Sequence, residues 1–410
     1  MLLNLKKHTE TSFSRKNFFH GLAANVVVFG FVSFLTDVSA EMIYPLLPLF
    51  LSQTLGAGPI FLGLIEGVAE STCSFLKLYS GIHADHARDR SKLVLFGYTL
   101  SSFSRPLMAL AQSPWTVLFI RAADRTGKGI RTSPRDALLA DSTHSDHHGR
   151  AFGFQRSMDN AGSVVGPLIS TILLAYFIQD LRIIFWLAAI PGVMAVFLIL
   201  FKVREVRQQE PPLFKHFSWK YPKGKLGIYL VILFVFTLSN SSDAFLLLHA
   251  QSCGVPIEQI PLLWMALHII KTSTIMPLAA LSDRFGRRRL ILCGWLVYAA
   301  VYILFGYATS ASQIWLIFIL YGLFSGFTEG TERAFLADLT TSGVRGKAYG
   351  WYNFIVGVAS LPASLLFGVL WKTCGSQFAF LIDACLALTA ALLLSFFIRH
   401  TRKNRPKTDD

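Results

Sequence analysis

The chain has 410 residues, of which 53% are hydrophobic and only 15% are charged, with 35 phenylalanines and a mean hydropathy of +0.49. This composition excludes an ordinary water-soluble domain, which carries more charge and fewer large apolar side chains. The net charge of +14 would suit a nucleic-acid-binding protein, but the placement of the cations argues against nucleic acid as a partner.

Repeated apolar segments of about 20 residues, each long enough to cross a ~30 Å hydrocarbon core, run through the chain. There are twelve, centred near Asp37, Ser71, Phe103, Gly127, Gly166, Ala188, Leu238, Ile270, Val297, Gly326, Ala359 and Leu388. The segments around residues 127, 270 and 326 are the weakest because they contain charge. The pattern predicts an all-α polytopic membrane protein with twelve transmembrane helices in contact with the lipid bilayer.

Lysine and arginine are unevenly distributed between the two predicted sides of the membrane. If the N-terminus is cytoplasmic, 26 of the 38 cations fall in inward segments, whereas the outward loops hold only Arg182 and Lys372. This imbalance follows the positive-inside rule and predicts that both termini are cytoplasmic. The first 18 residues are polar and show no cleavable signal peptide.

The two halves of the chain repeat each other across the basic segment 204–224. Residues 137–153, "ALLADSTHSDHHGRAFG", align without gaps on residues 334–350, "AFLADLTTSGVRGKAYG", with nine of seventeen identical. Weaker matches at similar offsets support two pseudo-symmetric six-helix bundles. The predicted organisation is a cytoplasmic tail (1–19), a first bundle (20–203), a cytoplasmic linker (204–224), a second bundle (225–399) and a cytoplasmic tail (400–410).

Several motifs resemble the major facilitator superfamily of secondary transporters over about residues 20–400. They are "DRFGRRR" (283–289), its diverged first-half counterpart "GIHADHARDRSK" (81–92), and "GSVVGPLIS" (162–170). The block "DRTGKGIRTSPRDALLAD" (124–141) is similar to a bacterial permease subgroup. The resemblance implies a monomeric transporter of the bacterial inner membrane that is not an enzyme and has no cofactor or resident metal.

The stretch "IRAADRTGKGIRTSPRDALLAD" (120–141) has the composition of a loop, but its charges are periodic. At 100° per residue, one arc of 120° on a helix holds Arg121, Asp124, Arg125, Lys128, Arg131 and Arg135. This spacing predicts an amphipathic fourth helix with one charged face in contact with water. Gly127 and Gly129 would permit close helix approach or a local break, and Pro134 a kink.

Charges at bilayer depth cost about 2.5–3.5 kcal/mol on insertion scales, so they should face protein or water. They occur almost only on spans that the resemblance places around a central cavity. Two roles remain open for them: structural ion pairs or substrate contacts. The candidates for substrate binding are Arg121, Arg125, Lys128, Arg131, Arg105, Asp243, Lys271 and Glu329. Those for proton coupling are Asp37, Glu41 and Glu70.

The repeated loop motifs place aspartates where helices meet the cytoplasm, with arginines close by. By resemblance, such pairs form a conformational latch that ties neighbouring helix ends together in one state. A solvated surface cluster is the alternative. The candidate latch residues are Asp85, Arg90 and Asp141 in the first half and Asp283, Arg287, Arg288 and Asp338 in the second.

Surplus cations on the fourth span suggest a small organic solute that is anionic, since arginine matches carboxylate or phosphate. A carboxylate or an anionic metal chelate such as a siderophore, moved with protons by alternating access, is the preferred interpretation. A multidrug or amphiphile exporter, or a lipid flippase of the same fold, is the alternative. The sequence leaves the direction of transport open, as it does a disulfide between Cys253 and Cys374.

Overall fold

The protein is described by a computed structural model that covers residues 24–84, 90–143, 148–178, 180–203, 222–340 and 345–403. Within these ranges the chain is helical and contains no strand. Twelve long helices follow one another: α1 (Ala24–Thr54), α2 (Pro59–Ala84), α3 (Arg90–Leu110), α4 (Pro114–Asp141), α5 (His148–Tyr176), α6 (Leu181–Lys202), α7 (Lys225–Ser252), α8 (Ile260–Phe285), α9 (Arg287–Tyr307), α10 (Ala311–Asp338), α11 (Arg345–Cys374) and α12 (Ser376–Lys403).

Each of the twelve predicted span centres falls in a separate helix, which confirms the fold class. By length and composition, eleven helices in the described ranges can cross a membrane. The helix missing from that set is α4. Its basic stripe, which comprises Arg121, Arg125, Lys128, Arg131 and Arg135, lowers its hydropathy. It packs against α2 and α3, so neighbouring helices, rather than lipid, enclose much of its polar surface.

Helix packing repeats between the halves when each helix number is raised by six. In the first half α1 packs on α5 and α6, and α4 packs on α2 and α3. In the second half α7 packs on α11 and α12, and α10 packs on α8 and α9. The halves meet along α2–α11 and α5–α8. The bundle limits themselves remain predictions, because the tail 1–19 and most of the linker lie outside the described residues.

Two helices near the molecular centre are irregular, for different reasons. In α1 the segment "YPLLPLF" contains Pro45 and Pro48, which lack an N–H donor, and the helix passes through a 3-10 turn and a π turn. In α7 the helix stops at Ser239 and resumes at Ala244. The break exposes backbone polar groups inside the second half, where side chains or bound groups must satisfy them.

The turn within "DRFGRRR" depends on one glycine. Gly286 has φ +91°, in the left-handed region, and it both ends α8 and begins α9. A side chain there would be strained. The glycine therefore allows two long helices to reverse direction within one residue.

Close contact between α2 and α11 joins the halves near the start of α2. A Cβ on Gly67 would lie 2.9 Å from the Cα of Leu361, and one on Gly368 would lie 2.6 Å from the carbonyl oxygen of Pro59. A Cβ on Gly63 would collide with the carbonyl of Ser364. These glycines let the backbones approach as small residues do in membrane helix pairs.

Gly63→Ala is therefore expected to destabilise the protein by about 1–3 kcal/mol, because the added methyl meets backbone that cannot rotate away. The measurement is thermal unfolding of the purified protein in detergent. Gly153→Ala is the matched control, since a Cβ there meets nothing within 4 Å. Equal melting temperatures for the two variants would contradict the close packing of α2 on α11.

The cysteine pair that the sequence left open is not bonded in this structure. Both Cys253 and Cys374 are free thiols. The Cys253 sulfur lies 3.3 Å from the carbonyl oxygen of Ala308, and Cys374 lies at the end of α11. The outward loops are therefore joined by packing and not by a covalent bridge.

Candidate functional site

A cavity of about 440 Å³ lies between the two halves and is lined mainly by polar and charged side chains. Helices α1 to α4 supply the first-half wall, and α7, α8 and α10 supply the second. The lining residues are Asp37, Ala40, Glu41, Tyr44, Glu70, Arg105, Arg121, Asp124, Arg125, Lys128, Arg131, Asp243, Trp264, Leu267, His268, Lys271, Tyr321 and Ser325.

Most of the residues predicted for substrate binding or proton coupling meet in this one cavity. The exception is Glu329, which is not part of the lining but lies 3.0 Å from the Lys271 ammonium. The structure thus brings the candidates together, while the function of each side chain remains a prediction.

Helix α4 presents the basic stripe to the cavity, and its glycines explain how. The helix is continuous through Gly127, Gly129 and Pro134, so the alternative of a local break does not occur. A Cβ on Gly127 would lie 2.5 Å from the carbonyl oxygen of Gly97 on α3. The missing side chains let α3 approach α4 closely at Gly127 and let α2 approach it closely at Gly129.

Arg121 and Asp124 on α4 form a buried network of ion pairs with Glu66 on α2 and Arg105 on α3. The Arg121 guanidinium donates from Nε and Nη2 to the two oxygens of Glu66, at 2.9 and 3.2 Å. Arg105 on α3 lies 3.0 Å from Asp124 and also donates to the carbonyl of Thr36, at 2.8 Å. Because these four charged side chains are all buried, they compensate one another and hold α1 to α4 in register.

Arg131 is held without an anionic partner in the described ranges. Its Nη1 donates to the Ser101 hydroxyl at 2.5 Å, and its guanidinium lies over the ring of Tyr98, 4.3 Å from the centroid. Cation–π contact stabilises such a buried charge. Arg135, one turn further along the stripe, pairs with Asp136 at 2.8 Å and does not line the cavity.

Arg125 and Lys128 differ from the other cations of the stripe. Both are half-buried and line the cavity. Across the parts of the chain that the structure describes, neither forms an ion pair, and the Arg125 Nε is buried without a hydrogen-bond partner. Their opposing charges lie at longer range: Glu70 for Arg125 and Asp37 for Lys128. Both cations therefore line the cavity without an ion pair in the described ranges, and a role in substrate binding remains a prediction.

Carboxylates contact aromatic side chains at two places in the cavity, across the two walls at Glu41 on α1 and within the second-half wall at Asp243 on α7. The Trp264 indole donates to Glu41 at 2.8 Å, and the Tyr321 hydroxyl donates to Asp243 at 2.6 Å. The rings of Tyr44 and Trp264 lie 5.1 Å apart. Sequence reasoning missed Trp264 and Tyr321 as site residues, because aromatic side chains are common throughout this chain and their helical phase alone does not separate cavity from core.

Glu66 was also missed, although its position on the face of α2 that carries Glu70 was visible in the sequence. Helical phase placed both carboxylates on one face, but only the tertiary structure shows which one reaches α4. Glu66 is buried against Arg121, whereas Glu70 stays half-buried in the cavity.

A polar bridge joins the halves on the side of the cavity that is predicted to be cytoplasmic. Glu329 on α10 accepts from Arg156 on α5 at 2.7 Å and from Lys271 on α8 at 3.0 Å. Asp159 lies 3.8 Å from Arg156. Unlike the glycine contacts of α2 and α11, this bridge consists of exchangeable charges, because Arg156 is 56% exposed.

The candidate latch residues are paired as expected where the structure describes them. Arg90 lies 2.6 Å from Asp141, and Arg287 lies 3.2 Å from Asp338. The guanidinium of Arg288 lies over the ring of Phe335 instead, 5.2 Å from its centroid. Asp85 and the side chain of Asp283 lie outside the described residues. A switching role for these pairs remains a prediction.

Twelve membrane helices in two pseudo-symmetric halves around a polar central cavity define a secondary transporter fold. Comparison with known sequences identifies the family. The sequence profile of the Major Facilitator Superfamily matches residues 29–270 and 228–410. The chain belongs to this superfamily and is a multi-pass membrane transporter rather than an enzyme.

Relatives cover nearly the whole chain. An uncharacterized MFS-type transporter of Methanocaldococcus jannaschii is 33% identical over 404 residues, which span 96% of this chain and 98% of that protein. Multidrug resistance protein MdtH of Cronobacter sakazakii is 24% identical over 318 residues, covering 76% and 77%. The crystal structure of nucleoside transporter NupG superposes with a TM-score of 0.75 at 14% identity, covering 92% and 99%, and at that identity it supports the fold alone.

Proposed function

We propose that the protein transports a small organic solute with an anionic group, together with a proton. The observation that carries this proposal is the pair Arg125 and Lys128, two cavity cations without an ion-pair partner in the described ranges. A carboxylate, or an anionic chelate of a metal ion, would supply the charge-assisted hydrogen bonds that their neighbours already have.

Proton coupling follows from the carboxylates that face the same cations. Asp37 on α1 interacts electrostatically with Lys128, Asp159 and Glu41. When Asp37 is ionised it balances Lys128; when it is protonated the cation is left uncompensated. A proton on Asp37 therefore makes the cavity more positive and strengthens anion binding, and loss of the proton releases the anion. Glu41 and Glu70 are the other candidates for this role.

Alternating access requires one side of the cavity to open while the other is closed. The side that is predicted to be outer is closed by close backbone contact between α2 and α11. The inner side is crossed by the bridge of Glu329 with Arg156 and Lys271. We propose that these three residues exchange partners as the halves rock, since Arg156 is exposed and water can replace its contact with Glu329 at little cost.

Asp37→Asn and Glu41→Gln are expected to separate binding from coupling. Each variant should keep anion-induced thermal stabilisation, while at least one should lose accumulation driven by an imposed pH gradient in proteoliposomes. Asp136→Asn is the control, because Asp136 pairs with Arg135 outside the cavity. If the gradient still drives accumulation in both cavity variants, neither residue is the coupling site.

The experiment that tests the proposed substrate class is a thermal-shift screen of the purified protein. Carboxylates, phosphates, ferric chelates and cationic drugs are compared at one acidic and one mildly alkaline pH. A ligand that binds the folded state raises the melting temperature by mass action. The proposal predicts stabilisation by anions, larger at the acidic pH because a protonated carboxylate no longer competes for Lys128.

A multidrug or amphiphile exporter is the second candidate, and the contacts between carboxylates and aromatic side chains in the cavity favour it. Glu41 and Asp243 lie beside Trp264 and Tyr321, and carboxylates beside aromatic faces suit an organic cation. The name of the MdtH relative points the same way. Stabilisation by cationic drugs and not by anions would favour this function, and the same screen decides between the two.

A further inference from the structure

One buried carboxylate of the second half lies outside the cavity. Asp383 on α12 is 0% exposed, and neither of its oxygens has a hydrogen-bond partner in the ranges that the structure describes. An ionised carboxylate without a partner is costly inside a membrane protein. Asp383 therefore requires a neutralising group that the described side chains do not supply.

Three helices meet around Asp383. Helix α12 packs against α7 and α9. The side chain and the backbone N–H of Ser241, in the break of α7, face the carboxylate, and the Tyr302 hydroxyl of α9 lies within electrostatic range of it. None of these contacts is aligned as a hydrogen bond. The carboxylate is thus surrounded by polar groups that face it without pairing with it.

The neighbouring hydroxyls are also without partners. The Ser241 Oγ (residue 3% exposed) and the Tyr302 Oη (residue 0% exposed) make no hydrogen bond within the described parts of the chain. By contrast, the adjacent Tyr298 hydroxyl donates to the Ser239 carbonyl at 2.6 Å. Four buried oxygen atoms from three neighbouring helices therefore have unused lone pairs.

We propose that Asp383, Tyr302, Ser241 and the non-helical backbone between Ser239 and Ala244 form a binding site for a monovalent metal cation such as Na⁺. The donor set consists only of oxygen, which suits a hard cation. One carboxylate supplies one compensating charge. A proton on Asp383 would add a single donor, whereas a cation contacts all the unpartnered oxygens.

The helix break strengthens the site electrostatically. The first segment of α7 ends at Ser239, and the carbonyl end of a helix carries partial negative charge. Interrupted membrane helices can present such carbonyls to a bound cation. No arginine or lysine contributes to the surroundings of Asp383, so in the described ranges nothing of like charge repels a cation there.

The non-helical segment of α7 also contributes a residue to the cavity wall. Ser241 faces Asp383, and two residues later Asp243 lines the cavity and accepts from Tyr321. Cation binding orders this segment and so fixes the position of Asp243. The site therefore links a cation to the cavity whichever solute is carried, and it does not rest on the anionic substrate proposed above.

The test is thermal unfolding of the full chain in detergent at fixed pH and ionic strength, with NaCl exchanged for choline chloride. Raising Na⁺ from about 1 to about 100 mM is expected to raise the melting temperature of the wild type by about 2–4 °C. LiCl and KCl arms identify which alkali ion fits. Asp383→Asn should abolish the shift, while Asp180→Asn, an exposed carboxylate that caps α6, should retain it.

If Asp383→Asn does not fold, the variants Ser241→Ala and Tyr302→Phe test the same cation site. Each removes one oxygen and should raise the half-saturating Na⁺ concentration about tenfold, a loss of about 1.4 kcal/mol. No cation-specific shift in the wild type, or a shift unchanged in all three variants, overturns the proposal. Stabilisation by lower pH with no response to any alkali ion would overturn it too, because a proton would then neutralise Asp383.

Discussion

Arg125→Ala is expected to reduce uptake of the anionic solute by about 30-fold or more. Removing one partner of a desolvated charge pair costs about 2–5 kcal/mol, and Arg125 faces the cavity without a protein ion pair to replace the lost contact. Lys128→Ala should act in the same direction. The measurement is uptake into proteoliposomes of whichever carboxylate, phosphate or chelate gives the largest thermal shift with the wild type.

Arg135→Ala is the matched control for this experiment. It removes the same side chain from the same helix, but Arg135 does not line the cavity and is paired with Asp136. Uptake by this variant should stay within about threefold of the wild type. Arg125→Lys should recover part of the activity, because it restores the charge but not the planar fork. Undiminished uptake by both Arg125→Ala and Lys128→Ala would eliminate the anion hypothesis.

Arg121→Ala is expected to act on stability instead of transport. Arg121 forms two hydrogen bonds with Glu66 in a buried pair, and breaking such a pair by removing one partner costs about 3–5 kcal/mol. The uncompensated Glu66 should lower the melting temperature and the yield of folded protein. Thermal unfolding in detergent, compared with that of Arg125→Ala, measures the difference.

A double-mutant cycle separates the pair from its surroundings. Glu66→Gln combined with Arg121→Gln removes both charges, so it should be less destabilising than the sum of the single changes. If Arg121→Ala instead melts like the wild type and loses anion-induced stabilisation, the side chain belongs to the binding site. That result would return Arg121 to the role that the sequence alone suggested.

The contrast between Arg121 and Arg125 shows what helical periodicity can and cannot predict about a charged residue. The two residues are one turn apart on the wet face of α4, and the sequence treats them alike. They differ because α2 presents Glu66 beside Arg121, while Glu70, one turn further along α2, interacts with Arg125 only at longer range. A period of 3.6 residues assigns a face, but it does not assign the partner across an interface.

Asp383 shows the same limit in the second half. In the sequence Asp383 is the one charged residue between Phe378 and Ile398. Its surroundings depend on the break in α7 at Asn240. The segment "LSNSSDAF" contains no proline or glycine that would predict this break. The unpartnered hydroxyls of Ser241 and Tyr302 come from helices far apart in the chain, so only the packed structure gathers them.

The class of protein, the number of helices, the internal repeat and the helical nature of the charged stretch 120–141 could all be predicted from the sequence alone. These features are local or periodic, because bilayer thickness dictates the length of a span and helix geometry dictates the spacing of a wet face. The tertiary structure decided which charges neutralise one another and which, like Arg125 and Lys128, remain available to a ligand. Ion pairing depends on distances of a few ångströms between helices that are remote in the chain, and no spacing along one helix encodes those distances.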